Sequence, residues 1–225
     1  MAIRNTTLII CSIILFFVGC QKKEVQLPLI DIPGISEIQN HSSIWVFMET
    51  KNGEIIADLN KGNKILNTHW IYNIDRSLPM KEVVPLLIAM QENKNKDSMH
   101  KKGGMKSYFS YADTKSSSIS LLLFPQTNFI TDTTETNVIQ DFRENTCTAI
   151  IELVDEEYKL NGKRQALTDL ASNLKKGQQC ADEEKLRVML IFDEDTSYQD
   201  YLELKVYLHA NDIHCESAEY FHTVK

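Results

Sequence analysis

The chain lacks any apolar run of the ~20 residues that a membrane-crossing helix needs. Its longest, Leu8 to Val18, covers eleven and is interrupted by Ser12. It also lacks a basic footprint: no basic run exceeds two residues, as at Lys22-Lys23 and Lys101-Lys102, and the formal net charge is -7. Phosphate backbones are bound through clustered Lys and Arg, so nucleic acid is excluded as a partner. No G-x-S-x-G, H-E-x-x-H or phosphate-cradling glycine loop occurs, which removes the chemistries those spacings serve. The expectation is a protein with no catalytic residues, no cofactor and no metal. His209, His214, Cys215 and His222 are neighbours in sequence, but the step from His209 to His214 misses the i, i+4 spacing of paired helical ligands. Asp193-Glu194-Asp195 lacks the downstream Gly and closing Glu of an EF-hand loop.

What is present begins at the N-terminus. Arg4, the apolar run 8–18 and then Gly19-Cys20 before polar Gln21-Lys22-Lys23 have the layout of a secretory signal. Phe17-Val18-Gly19-Cys20 resembles the lipobox of bacterial lipoproteins, in which the Cys is acylated and becomes the mature N-terminus. The expectation is a signal peptide over 1–19, lipidation at Cys20 and a lipidated tether over 20–42. An uncleaved short anchor is the alternative. Either one tethers the rest to a membrane, on the periplasmic side of the cell envelope. Export would leave Cys147, Cys180 and Cys215 in a disulfide-permissive compartment. Three cysteines make at most one intrachain bond, and the spacing does not choose the pair.

Beyond the tether the pattern is mixed α/β (α+β). Ile44–Met48 reads as a strand, Asn52-Gly53 as its hairpin turn and Glu54–Leu59 as the return. Residues 80–92 carry a helical period, tempered by Pro85. Residues 93–107 read as a loop, 119–124 as a strand and 133–143 as a helix. The second half is cleaner. Strands are expected at 147–154 and 186–192, a return arm at 158–160, helices at 164–175 and 198–210, and a last strand at 217–224. The two halves share an order of hairpin, helix, strand and helix. Leu121–Phe124 matches Met189–Phe192, and the same offset sets Val138 on Val206. The expectation is a tandem duplication, with a first, divergent unit over 43–145 and a second over 146–225.

Three features of 147–225 resemble the periplasmic domain of the ExbD/TolR family of biopolymer-transport proteins. They are the hairpin arm ending Leu160-Asn161-Gly162-Lys163, the apolar strand running into Asp193 with Tyr198 at D-x-x-x-x-Y, and the helix leading to Asn211-Asp212-Ile213. Phe192 and Glu194 depart from the family's Ala and Lys, and residues 8–18 hold no proton-carrying Asp. An intramembrane acid is what proton-coupled force generation requires. The resemblance therefore implies an accessory in energised transport across the envelope, working by protein–protein contact without the proton-carrying part. Its implied partners are proton-channel-type subunits or an energy transducer, and a second copy as a homodimer. Asp193, Tyr198 and Tyr201 are the expected contact residues. The other reading is a lipoprotein that binds a ligand, a wall polymer or a surface partner and has no transport role.

Overall fold

Among the described residues, apolar strands build two six-stranded mixed sheets, and helices pack with them to complete the core. The computed structural model describes residues 23–60, 62, 64–95, 104–131, 139–140, 142, 147–176, 180 and 186–222. Cys20 and the signal region lie outside them, as does Val138. No helix among the described residues is long and apolar enough to cross a membrane.

The first sheet holds β1 (Leu29–Ile30), β2 (His41–Lys51), β3 (Glu54–Leu59), β4 (His69–Ile74), β5 (Ser107–Asp113) and β6 (Ser118–Phe124). Its order is β1-β5-β4-β2-β3, with β6 on β5. Asn52 and Gly53 both take positive φ (53° and 86°) between β2 and β3, the geometry that makes Asn-Gly a hairpin signal. The second sheet holds β7 (Asn128–Ile130), β8 (Thr148–Val154), β9 (Glu157–Leu160), β10 (Lys163–Gln165), β11 (Arg187–Asp193) and β12 (Cys215–His222). Its order is β10-β9-β8-β11-β12-β7. The helices described over their length are α1 (Met80–Asn95), α2 (Leu167–Lys176) and α3 (Tyr198–Ala210). Pro85 sits inside α1 on its exposed side, where the carbonyl left without its donor can be solvated.

One continuous core joins the inward faces of both sheets to all three helices. Tyr201 of α3 touches Phe109 of the first sheet (centroids 6.4 Å apart) and Phe192 of the second (5.1 Å). Phe129 bridges Phe124 (6.3 Å) and Phe221 (6.1 Å). Cys147 and Cys180 form a disulfide and Cys215 is free, which chooses the pair that spacing left open.

The tether expected over 20–42 is corrected. From Lys23 onward the chain is strapped onto the fold. The Gln26 N–H donates to Asp75 Oδ2 (3.0 Å), the Ala112 N–H to Pro28 O (2.8 Å), and β1 pairs with β5. Ile35 and Leu121 exchange two backbone hydrogen bonds (3.0 and 2.8 Å). Gly34 allows that approach: a Cβ there would lie 2.8 Å from the Leu121 carbonyl oxygen and would meet the Tyr111 hydroxyl. The boundary at 145/146 is corrected too, because β7 pairs with β12 in the second sheet.

A tandem duplication is not established; one strand arrangement recurs in the two halves, and not through the match expected. β6 is antiparallel to β5 and off the main path of its sheet, whereas β11 is central between β8 and β12. The geometric counterpart of β11 is β4, since each lies parallel between the first hairpin strand and the last strand of its unit. The counterpart of α3 is α1. Their starts exchange hydrogen bonds reciprocally: Met80 N–H to Thr196 O and Tyr198 N–H to Leu78 O, both 2.8 Å. Lys81 N–H donates to Glu194 O (2.8 Å) and Gln199 N–H to Arg76 O (3.0 Å), around a bridge between Pro79 and Ser197. Each partner is 118 residues from its counterpart, the pattern expected of a local two-fold axis.

Candidate functional site

The strand-to-helix turn at Asp193 is a backbone device. Asp193 Oδ1 accepts the Asp195 N–H (3.0 Å), and the Ser197 hydroxyl oxygen caps α3 by accepting the Asp200 N–H (3.1 Å). The first half uses the same turn, with Asp75 Oδ1 accepting the Ser77 N–H (3.0 Å). Beside Asp193, a depression of about 400 Å³ is lined by Asp155, Glu156, Asp195 and Asp200. Lys81 of the other half reaches Asp195 at 2.7 Å. Among the described residues no three His, Cys, Asp or Glu side chains are grouped to hold a metal ion.

The expectation that Tyr198 and Tyr201 are contact residues is corrected. Both are wholly buried, so neither side chain lies on the surface to meet a partner. α3 lies between the two sheets, and its tyrosine face is spent on the core. Burial drives the hydroxyls of both well above the ordinary tyrosine value, and for Tyr201 the charge of Glu219 adds to this.

Tyr201 leads to a second place that sequence reasoning missed. Its hydroxyl donates to Glu219 Oε2 at 2.9 Å, and Lys205 Nζ donates to Glu219 Oε1. Glu219 is 1% exposed and Lys205 18%. Helical spacing puts Lys205 one turn after Tyr201, and the period of β12 turns Glu219 to the same side as Phe221. Burial alone would lower the Lys205 ammonium, but the charge and hydrogen bond of Glu219 outweigh it and leave the group above the ordinary lysine value.

This pair lies at the wall of a cleft of about 290 Å³. His209, His214 and Cys215 also line it, whereas His222 pairs with Asp193 at the far end of β12. Burial pushes the Cys215 thiol up to about 11, with Lys205 opposing, so it is a thiol at neutral pH and a weak nucleophile. An ammonium has three donors, and Lys205 commits one to Glu219. The cleft lining sets the remaining Lys205 donors beside the carboxylates of Glu216 and Glu219 and the apolar Leu122, Leu208 and Ile213. Those donors can hold a small acceptor-bearing group.

The sequence held one signal for it. Lys205 is the only Lys or Arg in α3, and Glu219, one of two acids in β12 with Glu216, directly precedes Tyr220-Phe221. Each reads by itself as a solvated residue; only the sheet register shows that they meet.

No protein-family model matches the chain, and no curated protein or solved structure is similar to it at a significant level.

Proposed function

We propose that this is a non-catalytic protein of the cell envelope, held to a membrane by acylation of Cys20, in which two units of ExbD/TolR-like design pair within one chain. It acts through protein–protein contacts in energised transport. The observation that carries this reading is the reciprocal bonding of the two halves around Pro79 and Ser197. A pairing surface is satisfied inside the chain, and the strand edges at β3 and β10 are left outward, where unpaired backbone groups can template another strand. The order hairpin, helix, strand, helix, strand over 148–222 supports the resemblance, and the Cys147–Cys180 bond supports an oxidising compartment.

Crosslinked pull-down from membranes, beside mass analysis of the N-terminal peptide, tests it. Acylated Cys20 with channel-type envelope subunits captured is the expected result. Capture of wall or surface components alone would replace it with the ligand-binding lipoprotein reading. One observation favours that second reading, the cleft at Lys205 and Glu219. Titration with acetate and inorganic phosphate would then raise the melting temperature of the parent and not of a Lys205→Met variant.

A further inference from the structure

The strapping of the N-terminal segment has a consequence for orientation. Cys20 is three residues from Lys23, a reach of roughly 10 Å at full extension. Lys23 is itself pinned. Its ammonium meets Glu49 and Asp58 (2.7 Å to Asp58), one on each strand of the β2–β3 hairpin, and lies 5.9 Å over the Phe47 ring. Gln26 is held on Asp75, and Leu29 exchanges two hydrogen bonds with Gln199 (2.8 and 3.0 Å). An acyl chain on Cys20 would therefore enter the bilayer within about 10 Å of the point where Lys23 meets this hairpin.

The hairpin is built unlike its counterpart. β2 pairs with β4 only as far as Val46; Phe47 to Lys51 pair with β3 alone and form a two-stranded ribbon beyond the sheet. The second half turns back at once after Val154. On the ribbon, Phe47, Glu49 and Asp58 share the face that Lys23 covers. Met48 and Ile55 stand on the other, 41% and 43% exposed. A ribbon without a third strand buries little, and neither Met48 nor Ile55 is packed into the core among the described residues. Lys23 offsets one of the two acids it meets, so the charge near the anchor is partly neutralised.

We propose that the β2–β3 ribbon is a membrane-contacting surface: Met48 and Ile55 rest in the interface of the bilayer that receives the Cys20 acyl chains. This rests on the acylation reading and deepens it. The anchor would hold the two sheets in a fixed orientation at the membrane, with no free spacer to swing on.

The test uses full-length lipidated protein in vesicles of phosphatidylcholine and phosphatidylglycerol. Nitroxide labels are placed at Met48→Cys, Ile55→Cys and Ile119→Cys, each with Cys215→Ser. Ile119 is the control, being 56% exposed on β6 across the sheet from β3. Labels at 48 and 55 are expected to show high oxygen and low water-soluble relaxant access, and the label at 119 the reverse. Lys23→Gln should reduce the membrane signature at both ribbon sites while the melting temperature holds. All three labels in water, on protein that carries acyl chains and floats with the vesicles, would overturn the ribbon contact and leave the lipid anchor standing. Protein with an unmodified Cys20 that does not float would overturn both.

Discussion

The two halves use one scaffold and fill it differently. In the second half Tyr201, Lys205 and Glu219 make a buried charged group; their geometric counterparts in the first half are Val83, Leu87 and Phe109, all buried and apolar. The first half shows that the architecture asks only for apolar volume at these places. Buried ion pairs rarely improve on well-packed hydrophobic residues, yet removing one partner is costly. Lys205 and Glu219 are therefore set there by something other than the fold, and their place at a cleft is where a function would use them.

The largest expected effect breaks that contrast directly. Glu219→Ala strands the Lys205 ammonium and the Tyr201 hydroxyl, and should lower unfolding free energy by about 3–5 kcal/mol. Giving the second half an apolar set (Tyr201→Phe, Lys205→Leu and Glu219→Met together) should recover most of the loss. Urea denaturation of the single and triple variants reads both. A triple variant as unstable as the single one would mean that the pair belongs to the scaffold after all.

The disulfide comes next. Cys147–Cys180 spans 33 residues of the second half, and loop closure of that length contributes about 3.5 kcal/mol. No described bond of this kind crosses the first half, which is strapped instead by hydrogen bonds from 26–35. Cys147→Ser with Cys180→Ser should lower the urea midpoint substantially, with native-state exchange showing the opening around β8. Reductant should reproduce it in the parent.

The alternating strands and the helix of the second half were legible because burial there follows simple periods. The expected helix at 198–210 is α3, and the expected return at 54–59 is β3. β4 was missed because His69–Ile74 is buried almost throughout, and a continuous run shows no period of two. β5 was missed because Ser107-Tyr108-Phe109-Ser110-Tyr111 is rich in hydroxyls: Ser110 is buried and bonded to Asn73 Oδ1 at 2.8 Å. The strap was missed because Pro28, Pro33 and Gly34 punctuate it, and nothing local announces partners as distant in sequence as Asp75 is from Gln26 or Leu121 from Ile35. Lys205 and Glu219 failed to stand out for the same reason: their meeting depends on how α3 lies across β12.

Two half-buried lysines sharpen the comparison further. Lys94 in α1 lies 4.7 Å over the Trp70 ring and donates to the carbonyl oxygen of Lys106 (2.9 Å), with no carboxylate partner among the described residues. Burial lowers it to about 8. Lys205, with Glu219, is raised. The unfolded chain holds a proton on Lys94 up to about 10.4, so between about pH 8 and that value the unfolded state binds more protons and stability rises with pH. For Lys205 the sign is opposite: its contribution is complete below the unfolded value and is lost as pH rises through the higher folded one. Lys94→Met should therefore flatten the stability curve above pH 8, whereas the triple variant should make the decline above pH 10 shallower. Denaturant midpoints at pH 7, 9 and 11 separate them.

The smallest effect concerns the repeated aspartate turn. Asp75 is 5% exposed and accepts both the Ser77 and the Gln26 N–H, so it holds a turn and the N-terminal strap together. Asp193 is half-buried and accepts the Asp195 N–H. Leaving buried donors unmet costs more than exposing a turn to water, so Asp75→Ala should cost about 2 kcal/mol and Asp193→Ala under about 1 kcal/mol. The second variant also bears on function. If Asp193→Ala holds its melting temperature and captures less envelope partner, the carboxylate at the end of β11 is a contact. If it melts as early as Asp75→Ala and captures normally, the two aspartates do the same job in the two halves, and partner contact lies elsewhere on the strand edges.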